Sequence, residues 1–395
     1  MKPRPYQLNA IDGTILSLFD QPILVAPTGS GKTFMGTEIV RRLKSKALWV
    51  AHRRELVNQA YKALNRVAPN RVGVIMGRER PTMFADLFVA SVQTLRNRPM
   101  PEDVGLIFID ECHHAVPGSG YEFLFKLGIP VIGLTATPFR LDGRPLGDLF
   151  GELVVASQVA DLVDDGFLME PKVFSHRLDL HGVQKRMGDY NKRQLAEAVR
   201  ERMVIGDLVR EWHTRAMGKR TVCFATDVAQ SKDIVRQFCE AGVAAEHLDG
   251  TTPNGVRDEI LERLESGETK IVSNCMVLTE GWDLPALECG IFARPTASLS
   301  LHLQMVGRIM RPESGKGQPI ALDHAGNFIQ HGPVTRRLEY SLTGEVKPKP
   351  VSEPLDVRRC GECGFFYGIN EASCPECGHV PEPAARAENT KPGDL

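Results

Sequence analysis

The chain has 395 residues, enough for two or three domains, and its 42% hydrophobic and 25% charged content is that of an ordinary globular protein, not a disordered or fibrous one. The formal net charge of −1 excludes a protein that gathers nucleic acid through a bulk positive field, so any such contact must come from local basic surface. No apolar run approaches the ~20 residues of a membrane span, and the start Met1-Lys-Pro-Arg-Pro-Tyr6 has no apolar signal core, so the expected location is the cytoplasm, with no membrane partner.

In chain order, the first informative element is the apolar run Ile23-Leu24-Val25, read as a buried strand, which leads into Ala26-Pro27-Thr28-Gly29-Ser30-Gly31-Lys32-Thr33. Gly29 and Gly31 permit a tight turn that brings backbone N–H groups against phosphate oxygens. Lys32 supplies a mobile charge for the β- and γ-phosphates, and the Thr33 hydroxyl can ligate Mg²⁺. The helical pattern of Phe34, Met35, Ile39, Val40 and Leu43 aims a helix N-terminus at the same anion. Ala26 stands where the pattern usually has its first glycine. These residues imply a bound nucleoside triphosphate with Mg²⁺.

Strands are expected at 47–51, 72–76, 87–90, 106–110 and 131–134, with a helix over 54–68. The fourth of these ends in Asp110-Glu111-Cys112-His113. Asp110 is suited to holding Mg²⁺, and Glu111 sits where a general base orients the attacking water. Residues 1–145 therefore read as one α/β domain with a parallel sheet covered on both faces. A less regular bridge spans 146–200; its basic cluster Lys185, Arg186, Lys192 and Arg193 is expected to be a solvated helix or loop and not a dedicated site.

A second α/β series fills 201–340, with strands at 221–224, 243–248, 270–273, 290–293 and 319–322 and helices over 228–240 and 254–265. In the latter helix Val256, Ile260, Leu261 and Leu264 are expected on one buried face. Residues 341–358 read as a linker, 359–381 as a cysteine module, and the Pro/Ala/Glu-rich 382–395 as a disordered tail.

The cysteines form two sets. Cys112, Cys223, Cys239, Cys275 and Cys289 are single and are expected to be buried small apolar residues in a reducing compartment. Cys360-x₂-Cys363 and Cys374-x₂-Cys377 are two knuckles whose four thiolates can close a tetrahedral Zn²⁺ site. So short a module cannot bury a stable core, and the metal would supply its folding energy. Phe365, Phe366 and Tyr367 either stack on bases or cover the zinc site.

The order of these motifs resembles a superfamily 2 DEAD/DEAH-type helicase over roughly residues 3–330. That resemblance implies two tandem RecA-like domains, followed here by a zinc ribbon, with ATP hydrolysed between the domains. Arg4-Pro5-Tyr6-Gln7 resembles the adenine-recognition segment, with Gln7 on the adenine edge and Tyr6 or Arg4 packed nearby. The segments 51–56, with His52, Arg53 and Arg54, and 90–95, with Gln93 and Thr94, resemble the backbone-contacting motifs of the first domain. Thr226 and Thr251 lie in the matching turns of the second. Gly133-Leu-Thr-Ala-Thr-Pro138 resembles the motif that couples hydrolysis to domain movement. Leu278–Asp283, with Thr279, Gly281 and Asp283, resembles the motif that reaches both ATP and nucleic acid.

Gln304-Met-Val-Gly-Arg308-Ile-Met-Arg311 is similar to the arginine-finger motif; Arg308 and Arg311 are expected on one face of a helix, completing the site when the halves close. Within the superfamily, Thr137–Arg140, Leu322–Asn327 and the cysteine module look most like bacterial and phage RadD-type DNA-repair helicases. This favours DNA over RNA, a role in repair, recombination or replication, and the cytoplasm of a bacterial or phage-infected cell. An RNA helicase and an ATP-gated binding or recruitment module remain open, as do nucleic-acid gripping and protein docking at the ribbon.

Overall fold

A computed structural model describes residues 2–79, 85–140, 142–186, 188–203, 205–279, 282, 284–343 and 357–381. The first sheet has seven parallel strands: β1 (Pro22–Val25), β2 (Lys46–Ala51), β3 (Val72–Ile75), β4 (Leu87–Ser91), β5 (Val104–Asp110), β6 (Val131–Thr135) and β7 (Glu152–Val155). Their order is β3-β4-β2-β5-β6-β1-β7, so β6 alone separates the strand that feeds the phosphate loop from the strand that ends in Asp110. The chain then gives β8 (Lys172–Ser175) and a hairpin of β9 (Lys185–Arg186) and β10 (Asp189–Tyr190). Strands β11 (Thr221–Phe224), β12 (Ala245–Leu248), β13 (Ile271–Asn274), β14 (Cys289–Phe292) and β15 (Ile320–Asp323) follow. The second sheet, also parallel, runs β12-β13-β11-β14-β15-β8.

Helices cover both faces of each sheet, and this is why the strands are apolar throughout. Ile23, Leu24, Leu106, Phe108 and Ile109 are fully buried. Trp49 stacks on Phe108 with ring centroids 4.6 Å apart. Gly36 makes room for it, since a Cβ there would lie 2.5 Å from the Trp49 ring. The second core is built around Phe224, Phe292 and Phe328. No described helix is long and apolar enough to cross a membrane.

Several expectations change. The bridge 146–200 supplies an edge strand to each sheet, β7 to the first and β8 to the second, and carries the helix Lys192–Arg202. Val256 is 43% exposed; the inward position in the first turn of its helix, Asn254–Ser266, belongs to Arg257, because Arg257 reaches across to the first domain. The helix Leu299–Gly307 stops before Arg311. Pro312 disfavours helical backbone at the residue before it, so Arg308 and Arg311 do not share a helix face. Cys112, Cys223 and Cys289 are buried, but Cys239 is exposed at the end of its surface helix. Most of the expected linker and the whole expected tail, 382–395, lie outside the described residues.

The cysteine module, with β16 (Val357–Arg359) and β17 (Phe366–Gly368), docks on the edge strand β8. The Ser175 N–H donates to the Gly364 carbonyl at 3.0 Å, and Arg359 Nε donates to the Ser175 carbonyl at 2.6 Å. The Phe365 ring lies 5.2 Å from Phe174, Phe366 packs on the second core, and Tyr367 is buried. Phe365 and Phe366 hold the module to the domain, while Tyr367 packs among the cysteines.

Gly364 has φ +73°, and a Cβ there would lie 2.8 Å from the Ser175 carbonyl oxygen. Gly364→Ala is therefore expected to cost about 1–2 kcal/mol of left-handed strain. Amide exchange at Ser175 checks it: protection should fall while the amides of β5 keep theirs.

Candidate active site

The end of β1 delivers the phosphate loop. Gly29 and Gly31 have φ of +89° and +91°, backbone that β-carbons resist. Lys32 opens the helix Lys32–Leu43, with Thr33 next to it. Lys32 Nζ lies 3.4 Å from the Ala26 carbonyl and 4.0 Å from Glu111, spanning the cradle. The N-terminal segment is pinned to the same loop. Gln7 Nε2 and the Tyr6 hydroxyl each donate to the Ser30 carbonyl at 2.8 Å, and Gln7 Oε1 accepts from the Arg4 amide at 2.9 Å. The Arg4 guanidinium sits 4.1 Å over the Phe167 ring, so an aromatic wall closes this side. Pro27 and Thr28 face the second domain.

Asp110 ends β5. Burial pushes its carboxyl above the ordinary range, against the pull of Lys32 and of the Trp49 indole N–H at 3.5 Å. A carboxylate at the end of β5 and a threonine hydroxyl at the start of the phosphate-loop helix are oxygen donors suited to Mg²⁺, which Asp110 and Thr33 would hold. Glu111 takes left-handed backbone, φ 48°, and so turns its carboxylate back toward Lys32. His113 Nδ1 lies 3.4 Å from Glu111 and 3.0 Å from the Thr135 hydroxyl. Thr135 Oγ1 donates to the Thr137 carbonyl, and the Thr137 hydroxyl meets Ser300 of the second domain at 2.5 Å. A continuous polar chain therefore joins Glu111 to the helix Leu299–Gly307 of the second domain.

The second domain closes the site from the opposite side. Gly307 packs on Thr28, where a Cβ would meet the threonine Cβ at 2.8 Å. A Cβ on Gly29 would lie 3.1 Å from both Cγ and Nε of Arg311. Burial in this seam lowers the Arg311 guanidinium to about 10, still charged at neutral pH. Arg308 is buried and donates to the Thr279 carbonyl at 2.5 Å and to the Trp282 carbonyl. Gln304 is buried on the same helix. Gly281 and Asp283 lie outside the described residues.

The residues expected at the nucleic acid lie at the C-terminal ends of the strands. Gln93 donates to the His52 carbonyl at 3.1 Å, and Thr94 accepts from the Gly77 amide at 3.1 Å. The His52 ring lies against His114 at 4.1 Å, Arg53 caps the helix Arg54–Val67, and Arg54 is exposed. In the second domain Thr226 Oγ1 donates to the Ala293 carbonyl at 3.3 Å, while Asp249 holds the Thr251 amide and hydroxyl at 2.7 and 2.6 Å. The two sets are tied together: Arg257 donates to Glu55 at 2.6 Å and to the carbonyls of Asp249 and Thr252.

In the ribbon, the sulfur atoms of Cys360 and Cys377, and of Cys363 and Cys374, are 3.6 Å apart, and all four lie within 4.8 Å of one another. Four thiolates ~2.3 Å from a zinc ion would be separated by about 3.8 Å, so the donor set fits Zn²⁺.

Residues 1–140 match the family model "Type III restriction enzyme, res subunit", and 203–313 match "Helicase conserved C-terminal domain". The chain is 31% identical over 353 residues to the putative ATP-dependent helicase Irc3 of Saccharomyces cerevisiae, spanning 82% of this chain and 51% of the yeast protein. The chain thus carries a two-domain core similar to that of helicases, and it spans about half the length of the yeast relative. It is also 24% identical over 354 residues to the DNA 3'-5' translocase XPB2 of Sulfurisphaera tokodaii, 78% of each chain. Among solved structures, the ATP-dependent Type ISP restriction-modification enzyme LlaBIII bound to DNA superposes with a TM-score of 0.62 at 21% identity, over 82% of this chain and 28% of that one. This likeness shows the shared fold.

The helicase core uses residues that the sequence alone did not reveal. Trp49 and His113 position Asp110 and Glu111, and Phe167 walls the N-terminal segment. His113 sits inside a motif and was the most findable. Arg257 carried no signal, since its partner Glu55 is 202 residues away.

Arg311→Ala is expected to lower ATP turnover by about 10³-fold, with ATP binding changed by less than tenfold in a direct nucleotide titration. Reversing the tie is the second test. Glu55→Arg and Arg257→Glu should each lower nucleic-acid-stimulated turnover by roughly tenfold, and the double reversal should recover most of it, as contacting charges do.

Proposed function

We propose that this chain is an ATP-driven motor that moves on nucleic acid, with DNA as its track. One observation carries the reading: the seam between the sheets holds Arg311 against the phosphate loop on one side and the Glu55–Arg257 tie between the two grip segments on the other. A nucleotide in the loop and a strand across the grips would therefore act on the same closure.

Each residue has a role in that closure. Lys32 and the loop amides bind the β- and γ-phosphates. Thr33 and Asp110 would hold Mg²⁺, which would supply positive charge beside the transferring phosphate. Glu111, oriented by His113, places the attacking water and takes its proton. Arg311 stabilises the spread negative charge of the transition state and is in position only when the domains meet. Loss of the γ-phosphate weakens the seam, and the separation moves 52–54 and 93–94 relative to 226 and 251, which is a step. Contacts of this kind go to phosphates, so weak sequence preference and strong salt dependence follow.

The DNA reading is supported by the archaeal relative, named a DNA translocase, and by the DNA-bound restriction enzyme of the same fold. The likeness of Thr137–Arg140, Leu322–Asn327 and the cysteine module to RadD-type proteins supports a task in repair or recombination. The four thiolates would hold Zn²⁺, and the ribbon docks on the edge strand β8 of the second domain.

The test is ATP turnover with no nucleic acid, single-stranded DNA, duplex DNA, forked DNA and RNA, with Glu111→Gln as control. Strong stimulation by one DNA form is expected, and Lys32→Ala should abolish it. Stimulation by RNA alone overturns the DNA track. Basal hydrolysis that no nucleic acid changes overturns the motor and favours an ATP-gated recruitment module. Metal analysis should give about one zinc per chain, lost in Cys363→Ser/Cys377→Ser; purified protein with free thiols and no zinc overturns the metal site.

A further inference from the structure

The hairpin β9–β10 is absorbed by none of the roles above. It carries Lys185 and Arg186, both exposed, on one strand and Asp189 and Tyr190 on the other. A short basic hairpin projecting freely would be solvated surface. This one is fastened. Asp189 Oδ1 accepts from the Ala297 amide at 2.7 Å and from the Thr296 hydroxyl at 3.2 Å, and Asp189 Oδ2 pairs with Arg294 at 3.4 Å. Arg294 and Thr296 are themselves buried, and the Tyr190 hydroxyl adds a bond to Gln330 at 3.0 Å.

The anchorage decides where the basic pair sits. Residues 294–297 follow the C-terminal end of β14, and they stand beside the turn that holds Thr226, whose hydroxyl donates to the carbonyl of Ala293. Thr296 also accepts from the Ser298 amide, and Ser298 caps the helix that leads to Arg308 and Arg311. The hairpin is thus fixed to the edge where the second domain would grip nucleic acid, and to the start of the arginine-finger helix. Two cations on a rigid stub at that edge have the chemistry of a phosphate contact.

We propose that Lys185 and Arg186 form a phosphate-binding site for a single strand of DNA, extending the grip of Thr226 and Thr251 along the edge of the second sheet, with Asp189 as the anchor that makes the hairpin move with the arginine-finger helix. The proposal rests on the motor reading. Met187, between the two strands, lies outside the described residues, and the site is the Lys185–Arg186 pair.

The experiment measures single-stranded DNA binding by the full chain between about 50 and 200 mM salt, for wild type, Lys185→Ala/Arg186→Ala, Lys185→Glu/Arg186→Glu, and a charge-matched control, Arg41→Ala/Arg236→Ala, on exposed helix positions away from this edge. Removing two phosphate contacts should flatten the slope of log affinity against log salt by about 1.4 and weaken low-salt binding by roughly tenfold. The glutamate pair should weaken it further, the control should match wild type, and turnover without DNA should stay the same in all four. A slope and affinity equal to wild type in the alanine pair, or equal losses in the control, overturn the hairpin site while leaving the motor reading intact. Wild type that binds no DNA overturns both.

Discussion

The approach of Arg311 to Gly29 is the contact on which the rest of the structure depends. It requires that residue 29 have no side chain, because a Cβ there would sit 3.1 Å from the arginine, and that the backbone accept φ of +89°. One glycine thus meets two demands, the left-handed backbone of a tight loop and the close approach of the other domain's arginine. The guanidinium lies in the seam between the domains, where burial weakens its hold on its proton. A cation in such a seam would attract a transferring phosphoryl group more strongly than it would in water.

Two further crossings make the seam a coupling device and not only a binding site. The chain Glu111, His113, Thr135, Thr137 and Ser300 connects the Glu111 carboxylate to the helix Leu299–Gly307 of the second domain. The Glu55–Arg257 pair joins the grip segments themselves. Burial raises the Glu55 carboxyl, but its backbone amide bond and Arg257 outweigh this and hold it below the ordinary range, so the pair stays ionised. A charge pair that is part-buried is strong only in one geometry. It therefore favours the closed arrangement and loses its strength as the domains part.

The second domain carries an extended edge. On one flank the cysteine module adds to β8, with Gly364 and Arg359 bonded to Ser175 and Phe365 on Phe174. At the C-terminal ends of the strands, the β9–β10 hairpin is fastened through Asp189 to the residues after β14. Both additions are short pieces of chain with little core of their own. They hold position because larger elements lend them hydrogen bonds and apolar contact.

The sequence by itself determined the local chemistry. A Gly-x-Gly-Lys-Thr loop after an apolar strand, an Asp-Glu pair at a strand end and four paired cysteines can be read because each function needs neighbours close in the chain. Continuous apolar strands alternating with amphipathic helices likewise fixed two parallel sheets, since a sheet buried on both faces leaves no other pattern. The tertiary structure decided what distant segments do to one another. Arg257 replaces Val256 as the inward residue of its helix because its partner lies 202 positions away, and the helix expected to carry both arginines ends at Gly307, where it packs on Thr28. The bridge 146–200 looked irregular because its strands β7 and β8 are four residues each and belong to different sheets. Local spacing encodes what a segment can bind; only packing, where a single ångström of approach or one missing β-carbon matters, fixes which segments meet.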